Sequence, residues 1–194
     1  MAQTIPGPVP YGGRIAKYSN LISPRCIVSG TQGAALAADF NNTTPGATTE
    51  IYVSEMFVPV PVFATGLAVF NGSDVTDNVK LGIYDVTGQL IASTASTAGS
   101  GVDAYQRVAF AWEFQTSLTA ATAITGPVFL SPGTYFVASD YAGTTSRFQT
   151  FAVGNFGAGK ITGAVFSTAM ISTSLTITPP TTFTTVLGPV ISLY

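Results

Sequence analysis

The stretch NVKLGIYDVTGQLIAST, from Asn78 to Thr94, decides the fold of this chain. Val79, Leu81 and Ile83 alternate with other residues, which is the pattern of a β-strand with one buried face. The tetrapeptide D-V-T-G then interrupts the alternation, and a second apolar run follows it. Asp and Gly are typical turn residues. The stretch therefore predicts a β-hairpin whose core face carries these three apolar side chains, with Lys80, Gly82 and Tyr84 on the opposite face.

Similar strand patterns follow one another along most of the chain. The segments TEIYVSEMFVPV (residues 49–60) and YQRVAFAWEF (residues 105–114) alternate, and FLSPGTYFVASD (residues 129–140) places a turn between two strands. The sequence indicates no amphipathic helix of ten or more residues. Short strands separated by frequent turns predict an all-β, antiparallel β-sandwich with jelly-roll-like topology. We expect one such domain over residues 26–194, with its C-terminal segment at an interface.

Residues 1–25 differ from the rest of the chain. Prolines at positions 6, 8, 10 and 24 prevent regular strand pairing, and several glycines lie among them. A tail without fixed structure is one interpretation of this composition. We favour an extended N-terminal arm that contacts a neighbouring subunit.

The composition is poor in charge, with 8% charged and 46% hydrophobic residues among 194. Soluble domains usually contain about 25% charged residues. The most apolar segment, Met56–Phe70, contains two prolines and a glycine, so it does not resemble a membrane-spanning helix. Too few alternating strands of sufficient length are present to predict an outer-membrane barrel. We therefore expect neighbouring subunits, rather than lipid, to cover the apolar surface.

The charge pattern and the single cysteine bear on partners and compartment. The formal net charge is −2, and the few basic residues are scattered, so the sequence predicts no nucleic-acid partner. The first residues show neither a basic region nor an apolar core typical of a secretory signal. Cys26 is the one cysteine and cannot form an intrachain disulfide. These features predict assembly in a reducing cytoplasm.

Most catalytic arrangements lack the residues that they need. The sequence contains no histidine, which excludes Ser-His-Asp and Cys-His catalysis within the chain. One cysteine cannot build a zinc site, and no glycine-rich phosphate-binding motif occurs. A carboxylate pair chosen from Glu50, Glu55 and Glu113 would be the remaining arrangement, as in a glycosidase. We predict that the protein is not an enzyme and that it has no catalytic residue and no cofactor.

Three aspartates near the opening stretch raise the question of a cation. Asp74, Asp77 and Asp85 would suit Ca²⁺, which prefers oxygen ligands. Their spacing lacks the regular acidic positions and the closing glutamate of an EF-hand loop. Asp is also common in turns because its side chain accepts hydrogen bonds from nearby backbone. We favour the turn interpretation and predict no metal site, with Ca²⁺ binding as the alternative.

Aromatic side chains could instead bind a glycan. The alternation places Trp112 with Val108, Phe110 and Phe114, so we expect it in the core. Tyr84, on the outward face of its strand, and Tyr141, in the turn S-D-Y-A-G, are the better candidates for exposed aromatic platforms.

Two stretches carry a resemblance to a known family. DNVKLGIYDVTGQLIAST (residues 77–94) and FLSPGTYFVASD (residues 129–140) resemble a jelly-roll module of tailed-bacteriophage virion structural proteins. The likeness lies in a strand of the form L-G-I-Y-D, a glycine turn, and a later hairpin of the form L-x-P-G-T-Y-x-x-A. It covers about residues 60–155 and involves turn and core positions, so it implies no functional residue.

The resemblance implies a structural role in a virion assembled in the host cytoplasm. We expect a protein that decorates or cements a phage capsid through non-catalytic protein–protein contacts. Its partners would be further copies of itself, in a homotrimer, and the major capsid protein or other virion proteins, without nucleic acid or membrane. The alternative is a tail or fibre component with a glycan-binding sandwich for host adhesion.

Overall fold

A computed structural model describes residues 40–58, 60–113, 122–124, 126–151, 158–162, 176–179 and 188–194. Within these ranges the regular structure consists of antiparallel strands and contains no helix. The predicted all-β, antiparallel sandwich class is therefore confirmed. No helix in this part of the chain is long and apolar enough to cross a membrane. The predicted arm, residues 1–25, lies outside the described residues, as does Cys26.

Fourteen strands are present in the described ranges. In chain order they are β1 (Phe40–Thr43), β2 (Glu50–Val58), β3 (Val62–Ala64), β4 (Gly66–Phe70), β5 (Asn78–Tyr84), β6 (Leu90–Thr94), β7 (Thr97–Ala98), β8 (Tyr105–Glu113), β9 (Thr122–Ala123), β10 (Val128–Leu130), β11 (Gly133–Tyr141), β12 (Phe148–Phe151), β13 (Ala158–Thr162) and β14 (Ile191–Leu193). The largest sheet has the order β13-β2-β11-β5-β6-β8-β4-β14, with β7 beside β5 and β9 beside β8. Strands β1 and β12 form one separate pair, and β3 and β10 form another.

Strand β8 pairs with a different strand in each of its two halves. Residues 105–109 pair with β4, whereas residues 110–113 pair with β6. The register with β6 shifts between Phe110, which lies opposite Thr94, and Trp112, which lies opposite Ser93. An extra residue in one strand reverses which side chains face the core. Long strands with such irregularities can turn a sheet back over itself and so enclose a core.

The opening stretch forms the predicted hairpin of β5 and β6. Val79, Leu81 and Ile83 are at most 1% exposed and lie in the larger core cluster, as the alternation predicts. Gly88 adopts a φ of 86° in the turn, a conformation that favours glycine. The other buried members of the cluster are Tyr52, Met56, Val58, Ala64, Leu67, Val69, Ala92, Val108, Phe110, Val128, Leu130, Val137, Tyr141, Phe148, Ile191 and Leu193. This cluster is the larger of the two hydrophobic cores in the described residues.

The opposite face of the sheet is buried as well, which the sequence does not predict. We call this the second face; its buried apolar residues are Ile51, Val53, Tyr84, Leu90, Phe136, Ala138 and Ile177. Ile177 comes from residues 176–179, which lie against the turn between β5 and β6. Its backbone N–H donates to the carbonyl of Gly88 at 2.8 Å. A segment distant in sequence thus covers a face that the alternation marks as outward.

Candidate functional site

The aspartates of the opening region are occupied by local hydrogen bonds. Oδ1 of Asp74 accepts from the backbone N–H and the hydroxyl of Thr76, at 3.0 and 2.9 Å. Oδ1 of Asp85 accepts in the same way from Thr87, at 2.8 and 2.6 Å, and also from the backbone N–H of Gln89. Both patterns are turns closed by an aspartate side chain. The turn interpretation is confirmed for these two residues.

Asp77 holds a distant loop rather than its own turn. Its Oδ2 accepts from the backbone N–H groups of Thr145 and Ser146, at 2.9 and 2.7 Å. In return, its own backbone N–H donates to the hydroxyl of Ser146 at 2.6 Å. A side-chain carbon at Gly143 would overlap this carboxylate, so glycine is required for the close approach. Asp77 therefore fixes the loop between β11 and β12.

The three aspartates do not converge, contrary to the Ca²⁺ alternative. Asp77 precedes β5 and Asp85 follows it. Eight residue steps along an extended strand correspond to about 26 Å. Within the part of the chain that the structure describes, no three acidic, histidine or cysteine side chains are grouped as metal ligands.

The glutamates considered for a carboxylate pair are also separated. Glu50 is buried, and its carboxylate accepts hydrogen bonds from the hydroxyl of Tyr52 and from the backbone N–H of Gly46. Glu55 is an odd number of residues further along β2, so it faces the other side of the sheet. Glu113 is half-buried on β8, which lies four strand spacings from β2, about 19 Å along the sheet. Glycosidase pairs lie closer, at about 5–9.5 Å.

The prediction that Tyr84 and Tyr141 form exposed aromatic platforms is wrong. Tyr84 is fully buried on the second face, and Tyr141 is 2% exposed, with its ring stacked on Phe148 at 5.3 Å between centroids. Burial raises the pKa of both phenols. Trp112 is half-buried and packs on the second face, because the register shift in β8 separates it from Val108 and Phe110. Phe114 lies outside the described residues.

The structure instead exposes two phenylalanines on the two-stranded ribbon of β3 and β10. Phe63 and Phe129 are register partners, and their ring centroids are 5.2 Å apart. They are 70% and 53% exposed. Their neighbours Ala64, Val128 and Leu130 are buried, so the ribbon has one face in the core and one face toward solvent. We call Phe63 and Phe129 the phenylalanine pair.

The sequence contains only part of the signal for this pair. Alternation places Phe129 opposite Val128 and Leu130, but it does not indicate which of the two faces is buried. Phe57 and Val60, which precede β3 in the chain, are 45% and 53% exposed. Large apolar side chains exposed at neighbouring positions are typical of interaction sites.

A second unpredicted feature is a buried pair of opposite charges. Lys80 of β5 and Asp140 of β11 are register partners on the second face, and they are 0% and 1% exposed. Burial raises the pKa of the Asp140 carboxyl to about 7, against the opposing effect of the Lys80 charge. Burial likewise lowers the pKa of the Lys80 amine, although the Asp140 charge opposes this. Each shift favours the neutral form of the group.

No protein-family model matches this chain, and no match is found among curated proteins or among solved structures. The resemblance of residues 60–155 to phage virion modules therefore stays a prediction.

Proposed function

We propose that the protein is a structural component of a phage virion, which decorates or cements the capsid through non-catalytic protein–protein contacts. The exposure of the phenylalanine pair is the observation that best supports a role in protein–protein contacts. Two adjacent phenylalanine rings on a solvent-facing ribbon form an exposed aromatic patch, and aromatic residues, phenylalanine included, are enriched in the cores of protein interfaces.

The area of the pair indicates how much it can contribute. At about 200 Å² for each side chain, the exposed fractions correspond to about 250 Å² of apolar surface. Removing that area from water stabilises a complex by up to about 6 kcal/mol at 25 cal/mol per Å². The cost of immobilising the partners consumes part of this gain.

The composition supports the same proposal. A chain with 8% charged residues has few charges to place around an apolar patch. Permanent assemblies tolerate such surfaces because neighbours cover them. The virion setting rests on the resemblance of residues 60–155. The glycan-binding alternative loses its proposed platforms, because Tyr84 and Tyr141 are buried.

The test compares self-association and particle binding of three forms of the chain. Sedimentation velocity over a range of concentrations, and cosedimentation with capsids of the source phage that lack the protein, would be measured for each. The double variant Phe63→Ser/Phe129→Ser should bind at least ~30-fold more weakly, since loss of the pair should remove at least ~2 kcal/mol of binding free energy. Val86→Ser is the matched control, because Val86 is 62% exposed but lies in the turn after β5.

Two results would overturn the proposal. A wild-type chain that stays monomeric and does not bind capsids would exclude the contact function. Equal weakening by Val86→Ser and by the double variant would show that the phenylalanine pair has no specific part in binding.

A further inference from the structure

We propose that Lys80 and Asp140 join through an isopeptide bond, which forms a covalent cross-link between β5 and β11. Such a bond makes the domain resistant to unfolding. The inference is independent of the proposed virion function.

The position of the two residues is the first support. Residues directly opposite each other in an antiparallel pair have Cβ atoms about 4.5–5.5 Å apart. Lys80 and Asp140 occupy such positions, on the same face of the sheet. The next register pair on that face is Gly82 and Ala138. Glycine and alanine place little side-chain volume beside the lysine.

The surroundings of the pair are the second support. The chain has seven basic residues, yet one of them is completely buried. Burial of a carboxylate costs several kcal/mol unless good partners compensate. In the described part of the structure, Oδ1 of Asp140 is buried without a hydrogen-bond donor. Ile51, the register partner of Asp140 on β2, and Tyr84 are buried on the same face. An amide bond replaces both ionisable groups in this apolar environment with one uncharged group.

The chemistry requires a neutral amine and a protonated carboxyl group, the forms that burial favours here. The lone pair of Lys80 Nζ attacks Cγ of Asp140, and a C–N bond forms. The C–O bond to the carboxyl hydroxyl then breaks. One amine proton leaves with that hydroxyl as water, and the other stays on the amide nitrogen.

Intact mass spectrometry of the folded wild-type chain tests the proposal without any variant. We expect a mass lower by one water molecule than the sequence mass. A tryptic digest should contain one branched peptide that joins the segments around Lys80 and Asp140, with no cleavage after Lys80. A cyclic imide at an aspartate loses the same mass, but it leaves Lys80 open to trypsin and gives no branched peptide.

Substitutions test whether the side chains of Lys80 and Asp140 form the bond. Asp140→Asn should lose ammonia instead of water, since the leaving group changes while the amide product stays the same. Lys80→Met should show its full sequence mass, and Lys160→Arg is the control that retains the loss of water. A wild-type chain with its full sequence mass after prolonged incubation at neutral pH would overturn the proposal, as would a branched peptide that involves another lysine.

Discussion

Replacement of Gly88 by alanine should release the segment that covers the second face. Gly88 has a φ of 86°, and a Cβ atom there would overlap the carbonyl oxygen of Ile177. The same two residues are joined by the hydrogen bond from Ile177 N to the Gly88 carbonyl, at 2.8 Å. The substitution therefore imposes backbone strain and also displaces residues 176–179.

The expected loss of stability combines three contributions. A left-handed conformation costs a non-glycine residue about 1–2 kcal/mol. Exposure of the buried Ile177 side chain costs about 1.5–3 kcal/mol. Loss of one hydrogen bond costs about 1 kcal/mol. We expect Gly88→Ala to lower the free energy of unfolding by about 4 kcal/mol, measured by urea denaturation.

Gly101→Ala provides the matched control. Gly101 has a similar φ of 79°, but the nearest atom to a Cβ there is 3.4 Å away, on the side chain of Ala104. This control should therefore show the strain alone, about 1–2 kcal/mol. If the two variants lost equal stability, residues 176–179 would contribute nothing to the fold, and the reasoning about the second face would be refuted.

Three further predictions concern polar side chains. Tyr52→Phe should lower the free energy of unfolding by about 1–3 kcal/mol, because it removes the hydroxyl that donates to Glu50 and accepts from Gly46 N at 2.8 Å; an unchanged urea midpoint would contradict this. Asp77→Ala should lower the free energy of unfolding by about 2 kcal/mol, since two backbone donors lose their acceptor. Millimolar Ca²⁺ should leave the Tm of the wild type unchanged, and a rise in Tm with Ca²⁺ would restore the alternative of a cation site. The variant Lys80→Met cannot form the cross-link, and its Asp140 carboxyl keeps a raised pKa in the folded chain. In the unfolded chain this carboxyl has its ordinary pKa of 3.8, so above that pH the unfolded chain releases a proton that the folded chain retains. The free energy of unfolding should then fall by up to about 1.4 kcal/mol per unit as the pH rises from about 4 to about 7, and a flat profile from denaturation at several pH values would contradict it.

The sequence predicts those structural features whose causes lie in residues close together in the chain. The alternation of Val79, Leu81 and Ile83 and the aspartate turn at Asp85 both have local causes, and both are confirmed. Tyr84 is buried because a segment about ninety residues later in the chain contacts the β5–β6 turn. The residues around Tyr84 do not indicate this contact. Tyr141 is buried because its ring reaches Phe148 across a loop.

Register irregularities explain another part of the difference. Alternation through β8 predicts a common face for Phe110 and Trp112, but the shift opposite Ser93 and Thr94 separates them. The alternation also leaves undecided which face of the β3–β10 ribbon is outward, and so it misses the phenylalanine pair. The candidate site thus depends on tertiary packing that a pattern of period two does not contain.

The position of β2 in the sheet has a consequence for synthesis of the chain. Its partners are β11 and β13, and Val53 pairs with Ala138, which is 85 residues later. A ribosome that adds about 5–20 residues per second needs roughly 4–17 s to supply that partner. During this interval neither of the partner strands that the described residues show for β2 has been synthesised, so the nascent chain is a natural client for chaperones that shield extended hydrophobic segments.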